Sequence, residues 1–219
     1  MAPAMLARPT ALLWDNDGVL VDTEGLYFQA TREALATIGV ELDEALYLQL
    51  FLRDGRGAFH LARERGLDEV QIDALRSARD ARYAQLLETG SLLFDGVEQA
   101  VSALACEYRM AIVTSSLREH FQLIHRSSRL LQHFELVLTH GDYPRAKPAP
   151  DPYLAALARL GLAADDCLVI EDSERGLRAA RAAGLRCWVV PSRLASAGSF
   201  VDAERVFASL GELVTALRS

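Results

Sequence analysis

Two carboxylates near the start of the chain, Asp15 and Asp17, are separated by one residue and follow a short apolar run, residues 11–14. A run of this kind predicts a buried strand. Side chains two residues apart in an extended chain point to the same side, so both carboxylates are expected on one side of the strand end. Two like charges there repel each other unless a cation lies between them. The pattern therefore predicts a metal-assisted site at the carboxyl edge of a sheet.

A second pair of acids, Glu171 and Asp172, ends a later apolar run, residues 167–171. An acid that caps the following helix would account for one of the two but not for both. Ser173 is itself predicted to cap that helix. The second pair is therefore expected to act with Asp15 and Asp17.

Three hydroxyl residues, Thr114, Ser115 and Ser116, follow the apolar run 110–114 and precede a predicted helix. Hydroxyls beside the free amides of a helix N-terminus form a good phosphate site. An ordinary helix cap explains the same residues equally well, so both interpretations stay open here.

Lys147 is the only lysine of the 219 residues, and the other basic side chains, apart from histidine, are arginines. Its retention indicates a place where a compact ammonium fits and the planar guanidinium does not. Neighbouring prolines stiffen the loop that carries it. The alternative is a chance survivor on a surface loop.

Apolar, strand-like runs alternate with amphipathic stretches along most of the chain. The predicted strands are residues 11–15, 110–114, 135–139, 167–171 and 186–190, and the predicted helices are residues 96–107, 117–131, 151–160 and 174–183. Asp151 followed by Pro152 predicts a helix start with Asp151 as the cap. The alternation predicts an α/β fold of the Rossmann-like kind, a parallel sheet with helices on both faces. Ligands of such sheets bind beyond the carboxyl ends of the strands.

Residues 23–93 contain no strand candidate and interrupt this alternation. Their pattern predicts helices at residues 24–38, 43–50, 57–65 and 68–87. A crossover between parallel strands needs only about a dozen residues, so this segment is predicted to be an inserted all-helical module. The predicted domains are residues 1–22 with 94–219 as the α/β core, and residues 23–93 as the insertion.

Composition excludes several classes of protein. No apolar run is long enough to span a membrane, and Met1–Thr10 does not resemble a secretory signal. A net charge of −7 argues against a nucleic-acid partner. Cys167 and Cys187, which lie in apolar runs, are predicted to be buried free thiols, and Cys106 stands far from both. These features predict a cytoplasmic protein without a membrane or nucleic-acid partner, and they do not indicate an oligomeric state.

The motifs taken together resemble those of the haloacid dehalogenase-like phosphohydrolases, in particular the subgroup of beta-phosphoglucomutase and phosphoglycolate phosphatase. The resemblance rests on four motifs in the correct order, Asp15 with Asp17, Thr114, Lys147, and Glu171 with Asp172. It implies a helical cap at residues 23–93. It also implies that Asp15 is the nucleophile, which forms an aspartyl-phosphate, that Asp17 is the general acid and base, and that Lys147 binds the transferring phosphoryl group.

The same resemblance implies the ligands of a Mg²⁺ cofactor and of the phosphate. The metal ligands would be Asp15, the main-chain carbonyl of Asp17, Asp172, and Glu171 either directly or through water. The phosphate ligands would be Asn16, Thr114, Ser115, Ser116 and Lys147. Oxygen ligands of this kind suit Mg²⁺.

The leaving group of the substrate is expected to contact the helical insertion. Arg53 and Arg56 lie in a break between predicted helices where the family's specificity loop falls, and they are predicted to bind a second anionic group of a sugar phosphate or phosphoglycolate. The alternative is that both are solvated surface arginines. His140 is expected to line the cleft, and Arg79 to lie away from the site.

Three other activities and a non-enzymatic role are the alternatives to a Mg²⁺-dependent phosphatase. A C–halogen hydrolase needs neither Asp17 nor Mg²⁺, and a phosphonatase needs a lysine that residues 23–93 lack. A mutase of the beta-phosphoglucomutase type couples cap closure to a His and a Lys. Here Tyr27 stands at the His position, which favours a phosphatase but leaves the mutase as an alternative. A non-enzymatic binding module would have lost at least one motif, and all four are present.

Overall fold

The sheet of the computed structural model is parallel, and its strands appear in chain order as β1 to β6. Within the described residues, 8–88 and 90–219, these strands are Ala11–Trp14, Arg109–Val113, Leu136–Leu138, Cys167–Glu171, Arg186–Val189 and Arg205–Val206. Their order across the sheet is β3-β2-β1-β4-β5-β6. The prediction about Met1–Thr10, and the start of the predicted segment 1–22, fall largely on residues outside the described part.

The strand β1 is at the centre of the sheet and all of its side chains are buried. Leu12 and Trp14 belong to the hydrophobic cluster on one face, and Ala11 and Leu13 to the cluster on the other. Because both faces are covered, the strand reads as a continuous apolar run. The predicted fold class, a parallel sheet with helices on both faces, is confirmed.

Helices α1 to α9 occupy the chain between and after the strands. In the described residues they are Glu24–Ala36, Glu44–Tyr47, His60–Glu64, Glu69–Leu86, Val97–Leu104, Arg118–His125, Asp151–Leu160, Glu174–Ala182 and Leu210–Leu217. A π-helical turn, Leu48–Arg53, follows α2, and 3₁₀ turns cover Leu130–His133 and Ala164–Asp166. The strand β6 and helix α9 were missed by the sequence analysis, and the predicted helix 117–131 ends early at His125.

Two predicted helix caps have different outcomes. The Ser173 hydroxyl accepts the main-chain N–H of Gly176 at 3.2 Å, so its role as the cap of α8 is confirmed. Asp151 is the first residue of α7 rather than its cap, so that prediction is wrong. Its carboxylate binds Arg145 at 2.8 Å instead, which removes it from the helix amides.

The helical insertion, α1 to α4, forms a hydrophobic cluster of its own beside the carboxyl edge of the sheet. Helices α1 and α4 pack against each other, and Leu194 and Ala195 from the segment after β5 join the cluster. The division of the chain at residues 22 and 94 stays a prediction. In the part of the chain that the structure describes, no helix combines the length and apolar character needed to cross a bilayer.

Candidate active site

The carboxyl ends of β1, β2 and β4 lie side by side where the strand order reverses, which is where open parallel sheets bind ligands. Asp15 directly follows β1, and its main-chain N–H donates to the Ile170 carbonyl of β4 at 2.9 Å. Thr114 follows β2, and Glu171 is the last residue of β4. Lys147 arrives from the loop between β3 and α7. The fold thus brings predicted residues from four separate segments into contact.

One oxygen of Asp15 is held in place and the other is free. Oδ1 accepts the main-chain N–H of Asn16 at 2.8 Å and lies 3.0 Å from Lys147 Nζ. Oδ2 has no hydrogen-bond partner among the described residues, and Asp15 lines a cavity. A carboxylate fixed through one oxygen can present the other to an electrophile in a defined direction.

The ammonium group of Lys147 is fully buried and has three acceptors. Besides Asp15, Nζ contacts Glu171 Oε1 at 2.6 Å and the Val113 carbonyl at 2.9 Å. Burial alone would lower the pKa of Lys147, but Asp15 and Glu171 raise it above its ordinary value. Lys147 is therefore a permanent positive charge beneath the carboxylates.

Three acidic residues, Asp15, Glu171 and Asp172, offer carboxylate oxygens that lie within 4.8 Å of one another. Burial and the charge of Glu171 raise the pKa of Asp15 to about 7, although Lys147 opposes the shift. Burial and the charge of Asp15 raise the pKa of Asp172 well above its ordinary range. The cluster therefore has more negative charge than Lys147 balances, which is the electrostatic signature of a cation site.

Asp172 supplies the oxygen that best fits such a cation. Its Oδ2 is buried and has no hydrogen-bond partner among the described residues. A Cβ at Gly18 would lie 2.1 Å from this oxygen, so only glycine fits there. Oxygen ligands of this type suit Mg²⁺, and the free oxygens of Asp15 and Asp172 fit it.

Glu171 differs from the other two acids because its oxygens are already occupied. Oε1 accepts from Lys147 and from the Tyr153 hydroxyl, each at 2.6 Å, and Oε2 accepts from the Asp172 N–H at 3.2 Å and the Ser173 hydroxyl at 3.4 Å. A Cβ at Gly176 would lie 1.9 Å from its carboxyl carbon. These contacts favour Glu171 as a support for Lys147 over Glu171 as a direct metal ligand.

The predicted phosphate hydroxyls divide into two groups. The hydroxyls of Thr114 and Ser116 donate to Asp17 Oδ2 at 3.0 and 2.7 Å, and the Thr23 hydroxyl donates to Asp17 Oδ1 at 2.5 Å. Ser115 lines the cavity, and its Oγ is buried without a hydrogen-bond partner in the described part of the chain. Thr114 and Ser116 thus orient Asp17, while Ser115 retains a hydroxyl for a ligand.

Asn16 was predicted to bind phosphate, but its side chain is fully buried and faces away from the cavity. Its Oδ1 accepts from His125 Nε2 at 2.8 Å, and its Nδ2 donates to Asp17 Oδ2 at 3.3 Å. The side chain therefore braces Asp17 against α6, and its main-chain N–H is the group that contacts Asp15. His125 could not be identified from the sequence, because it belongs to no motif.

A cavity of about 340 Å³ separates the carboxyl edge of the sheet from the helical insertion. Side chains of the core reach it from the ends of β1 and β2, and His140, which follows β3, lines it as expected. The insertion contributes aromatic and basic side chains, namely Tyr27, Tyr47, Phe51, Arg76, Arg79 and Tyr83. Its size suits a small metabolite.

Arg53 and Arg56, predicted to bind the substrate, do not line this cavity. Arg53 Nε contacts Glu174 Oε1 at 2.8 Å, and its Nη2 donates to the Ala197 carbonyl at 2.9 Å, so it ties the insertion to the core. Arg56 Nε is 3.6 Å from Asp54, and its side chain is 58% exposed. A role in substrate binding is not supported by this placement, because both side chains turn to the outer surface.

Arg79 was expected away from the site, and this prediction is wrong. It lines the cavity, donates to the Tyr27 hydroxyl and contacts Asp80 at 2.7 Å. Its position in α4 is 52 residues from Tyr27 in α1, so the contact depends on how the two helices pack. Amphipathic spacing along α4 places Arg76 and Arg79 on one helix face, and that was the available signal.

Comparison with known proteins shows similarity over nearly the whole chain. A family model described as haloacid dehalogenase-like hydrolase matches residues 12–190. The plasmid form of the protein CbbY from Cupriavidus necator is 35% identical, over 92% of this chain and 86% of that protein. The phosphoglycolate phosphatase of Xanthomonas campestris is 32% identical, over 81% of this chain and 80% of that protein.

Solved structures show the same similarity. A mutant of CbbY from Rhodobacter sphaeroides, in complex with xylulose-(1,5)bisphosphate, matches with a TM-score of 0.79 at 27% identity. The match covers 94% of this chain and 96% of that one. The helical insertion and the sheet are therefore both shared with that structure.

Proposed function

The chain belongs to the haloacid dehalogenase-like hydrolase family, and from this premise we propose that it is a Mg²⁺-dependent phosphatase of a small phosphorylated metabolite. The resemblance drawn from the four motifs is confirmed. The observation that carries the proposal is Asp15, which lines the cavity and whose Oδ1 is fixed by Asn16 and Lys147, while Oδ2 has no hydrogen-bond partner among the described residues.

In the first half of the reaction, Asp15 Oδ2 attacks phosphorus and the bond to the alcohol oxygen breaks. The positive charge of Lys147, whose Nζ lies 3.0 Å from Asp15 Oδ1, stabilises the developing negative charge from beneath the carboxylate. Asp17, which the hydroxyls of Thr114 and Ser116 hold in position, gives its proton to the leaving alkoxide.

In the second half, water attacks phosphorus of the aspartyl-phosphate and gives a proton to Asp17. The bond between phosphorus and the Asp15 oxygen breaks, phosphate leaves, and both carboxyl groups return to their starting states. Ser115, whose buried hydroxyl has no partner among the residues that the structure describes, donates to a phosphoryl oxygen. Asp17 thus acts as a general acid in the first half and as a general base in the second.

Asp15 and Asp172 would hold the Mg²⁺ ion, and Glu171 would support it through Lys147. When bound, Mg²⁺ neutralises phosphoryl oxygens that the acids would otherwise repel. The residues fit because Asp172 Oδ2 is buried without a hydrogen-bond partner among the described residues, and because Asp15, Glu171 and Asp172 each offer a carboxylate oxygen within 4.8 Å of the others.

The helical insertion is proposed to act as a cap that encloses the leaving group. It supplies Arg76 and Arg79, which can contact a second anionic group. Xylulose 1,5-bisphosphate, present in the Rhodobacter sphaeroides complex, is therefore the first substrate to test, with phosphoglycolate beside it.

The test is release of inorganic phosphate from a panel of phosphorylated metabolites, with Mg²⁺ and with EDTA. We expect Mg²⁺-dependent release from at least one small phosphomonoester. Glucose 1-phosphate, in either anomer, separates the mutase alternative. We expect phosphate or no reaction, and rapid formation of the 6-phosphate primed by a bisphosphate would show a mutase instead.

A further inference from the structure

Arg175, in the first turn of α8, lines the cavity. Among the described residues it has no ion pair of the kind that the other cavity arginines form. Its Nε is buried without a hydrogen-bond partner, and within the described residues the guanidinium forms no ion pair. The other arginines of the cavity are partnered, Arg76 by Asp73 and Arg79 by Asp80, both at 2.7 Å. Arg175 is thus a cavity arginine whose donors are unused.

The charge of Arg175 is nevertheless firmly held. Burial alone would lower the pKa of Arg175, but the surrounding carboxylates raise it, Glu24 most strongly and Asp15 next. A buried charged group without hydrogen bonds costs free energy, and folding usually removes such groups. A ligand that accepts hydrogen bonds would satisfy these donors.

Glu24 has the complementary chemistry in the same cavity. It is the first residue of α1, and its Oε1 accepts a hydrogen bond from the Tyr47 hydroxyl. The other oxygen, Oε2, has no hydrogen-bond partner in the part of the chain that the structure describes. Glu24 and Arg175 do not form an ion pair with each other, so an acceptor and a donor remain open on the cavity wall.

The Arg175 side chain is also held in position from the cap side. A Cβ at Gly55 would lie 3.0 Å from Arg175 Cδ and 2.8 Å from Pro148 Cδ, so the loop after the π-helical turn sits directly on the arginine stem. This contact fixes the stem while the guanidinium faces the cavity. The arrangement is that of a binding residue, because a fixed donor loses little freedom when a ligand arrives.

We propose that Arg175 and Glu24 together bind a hydroxyl group of the leaving alcohol, and thereby select phosphorylated sugars or polyols. A hydroxyl can accept from Arg175 and donate to Glu24 at once, which neither a carboxylate nor a methylene can do. A carboxylate in that place, as in phosphoglycolate, would face Glu24 and be repelled. The proposal rests on the proposed phosphatase function and names the substrate class of that site.

Two substrates of nearly equal size isolate the contribution of the substrate hydroxyls. Glycerol 1-phosphate carries hydroxyls next to the phosphoester, and propyl phosphate has the same carbon chain without them. The measured quantity is the ratio of their kcat/KM values, in Mg²⁺, for the wild type and for Arg175→Gln. The wild type is expected to prefer glycerol 1-phosphate by about tenfold or more, and Arg175→Gln to reduce that preference below about threefold.

The expected loss is confined to the hydroxylated substrate and appears mainly in KM, while propyl phosphate is hydrolysed nearly as before. Glu24→Gln should reduce the same ratio. Arg178→Gln is the matched control, because Arg178 is exposed on the same helix and its Nε donates to the Glu174 carbonyl at 3.4 Å. It should keep the wild-type ratio.

Three results would overturn the proposal: an unchanged ratio in Arg175→Gln, an equal loss on both substrates, or a wild type that prefers phosphoglycolate or propyl phosphate. An equal loss of kcat/KM on both substrates would mean that Arg175 contacts the transferring phosphoryl group or balances the charge of the acids. Thermal unfolding checks that Arg175→Gln folds. If it does not, Arg175→Lys, which keeps the charge without the fork, must reduce the same ratio.

Failure of the phosphatase function is a separate result. It would appear as a wild type that releases phosphate from none of these esters. In that case calorimetry measures binding of glycerol 1-phosphate and propyl phosphate to the wild type and to Arg175→Gln. A preference of the wild type for glycerol 1-phosphate that Arg175→Gln removes would support the hydroxyl site, and equal binding of the two esters would overturn it.

Discussion

At the scale of single residues, Lys147 combines full burial with three hydrogen-bond acceptors at 2.6 to 3.0 Å. A guanidinium is larger than this space and cannot place one nitrogen against all three acceptors. We expect Lys147→Arg to lower kcat by about a hundredfold, which corresponds to about 3 kcal/mol. Because the side chain is buried, a fall in the free energy of unfolding is also expected.

Arg145→Lys is the control for this prediction. Arg145 lies two residues away, and its side chain is 71% exposed where it pairs with Asp151. Steady-state kinetics and denaturant unfolding of both variants measure the two effects. Turnover of Lys147→Arg above about a third of the wild type, less than half a power of ten, would show that the lysine is not required.

His125 is a buried histidine in a neutral state, which makes stability depend on pH. Its Nε2 donates to Asn16 Oδ1 and its Nδ1 accepts from the Ser128 hydroxyl at 3.1 Å. Burial lowers the pKa of His125 from 6.5 to about 4. Between these values the unfolded state binds a proton that the folded state does not, so stability is full above pH 6.5 and falls as pH drops towards 4.

His125→Gln removes this titration and keeps a donor for Asn16. From pH 7 to pH 5 the wild type is expected to lose about 2 kcal/mol more of its free energy of unfolding than the variant does. Denaturant unfolding at the two pH values measures the difference. Equal losses would mean that His125 is not the group responsible.

At the scale of the elements, the close approach between cap and core depends on Gly55. Its φ is +70°, and a Cβ there would lie 2.8 Å from Pro148 Cδ and 3.1 Å from the Lys147 carbonyl. Gly55→Ala should push this loop away from the site and admit water. We expect kcat/KM to fall by about tenfold or more, as for other poorly closed lids.

Gly57→Ala separates this clash from backbone strain. Gly57 has a similar φ of +67°, but its added Cβ would meet only Phe51, at 3.8 Å. Both variants should lose about 1–2 kcal/mol of stability from the left-handed conformation. Only Gly55→Ala should lose activity, and equal activities of the two variants would contradict the predicted role of the loop.

The sequence predicted the elements whose burial is complete. The residues of β1 and β4 are buried throughout, so their apolar runs were unmistakable. The strand β6, Arg205–Val206, has two exposed residues, and its place at the sheet edge follows only from tertiary pairing. Helix α9, Leu210–Leu217, was also missed.

The site residues could be predicted from the sequence where they directly follow strands. Parallel strands end at one edge, so acids after β1 and β4 had to meet. The cavity side chains were not predictable in this way, because Arg79 and Tyr27 meet only through packing of α1 on α4. Glu24 and Arg175 stand close to motif residues in sequence, and that nearness was the available signal.

At the scale of the whole molecule, a Mg²⁺ ion held by the acid cluster, as proposed above, would make the free energy of unfolding depend on the metal. An ion that binds only the folded state at a hundred times its Kd adds about 2.7 kcal/mol to the free energy of unfolding. We expect Mg²⁺ to raise the melting temperature of the wild type and EDTA to lower it. Differential scanning calorimetry measures both.

Asp172→Asn should abolish this dependence. The variant removes a carboxylate whose pKa is raised by burial and by the neighbouring acids, so at pH 7 it should be more stable than the wild type in EDTA. It should also lose phosphatase activity. A melting temperature that still rises with Mg²⁺ as in the wild type would exclude Asp172 as a ligand.

The central claim is that Asp15 attacks phosphorus in a Mg²⁺-dependent reaction. The most direct measurement is phosphate release by the wild type and by Asp15→Asn on the best substrate of the panel, with saturating Mg²⁺ and with EDTA. The account predicts that Asp15→Asn is folded but at least about a thousandfold slower, because an amide cannot form the aspartyl-phosphate, and that EDTA stops the wild type. Turnover by Asp15→Asn within about tenfold of the wild type, a barrier difference under about 1.4 kcal/mol, would contradict it, as would full activity in EDTA.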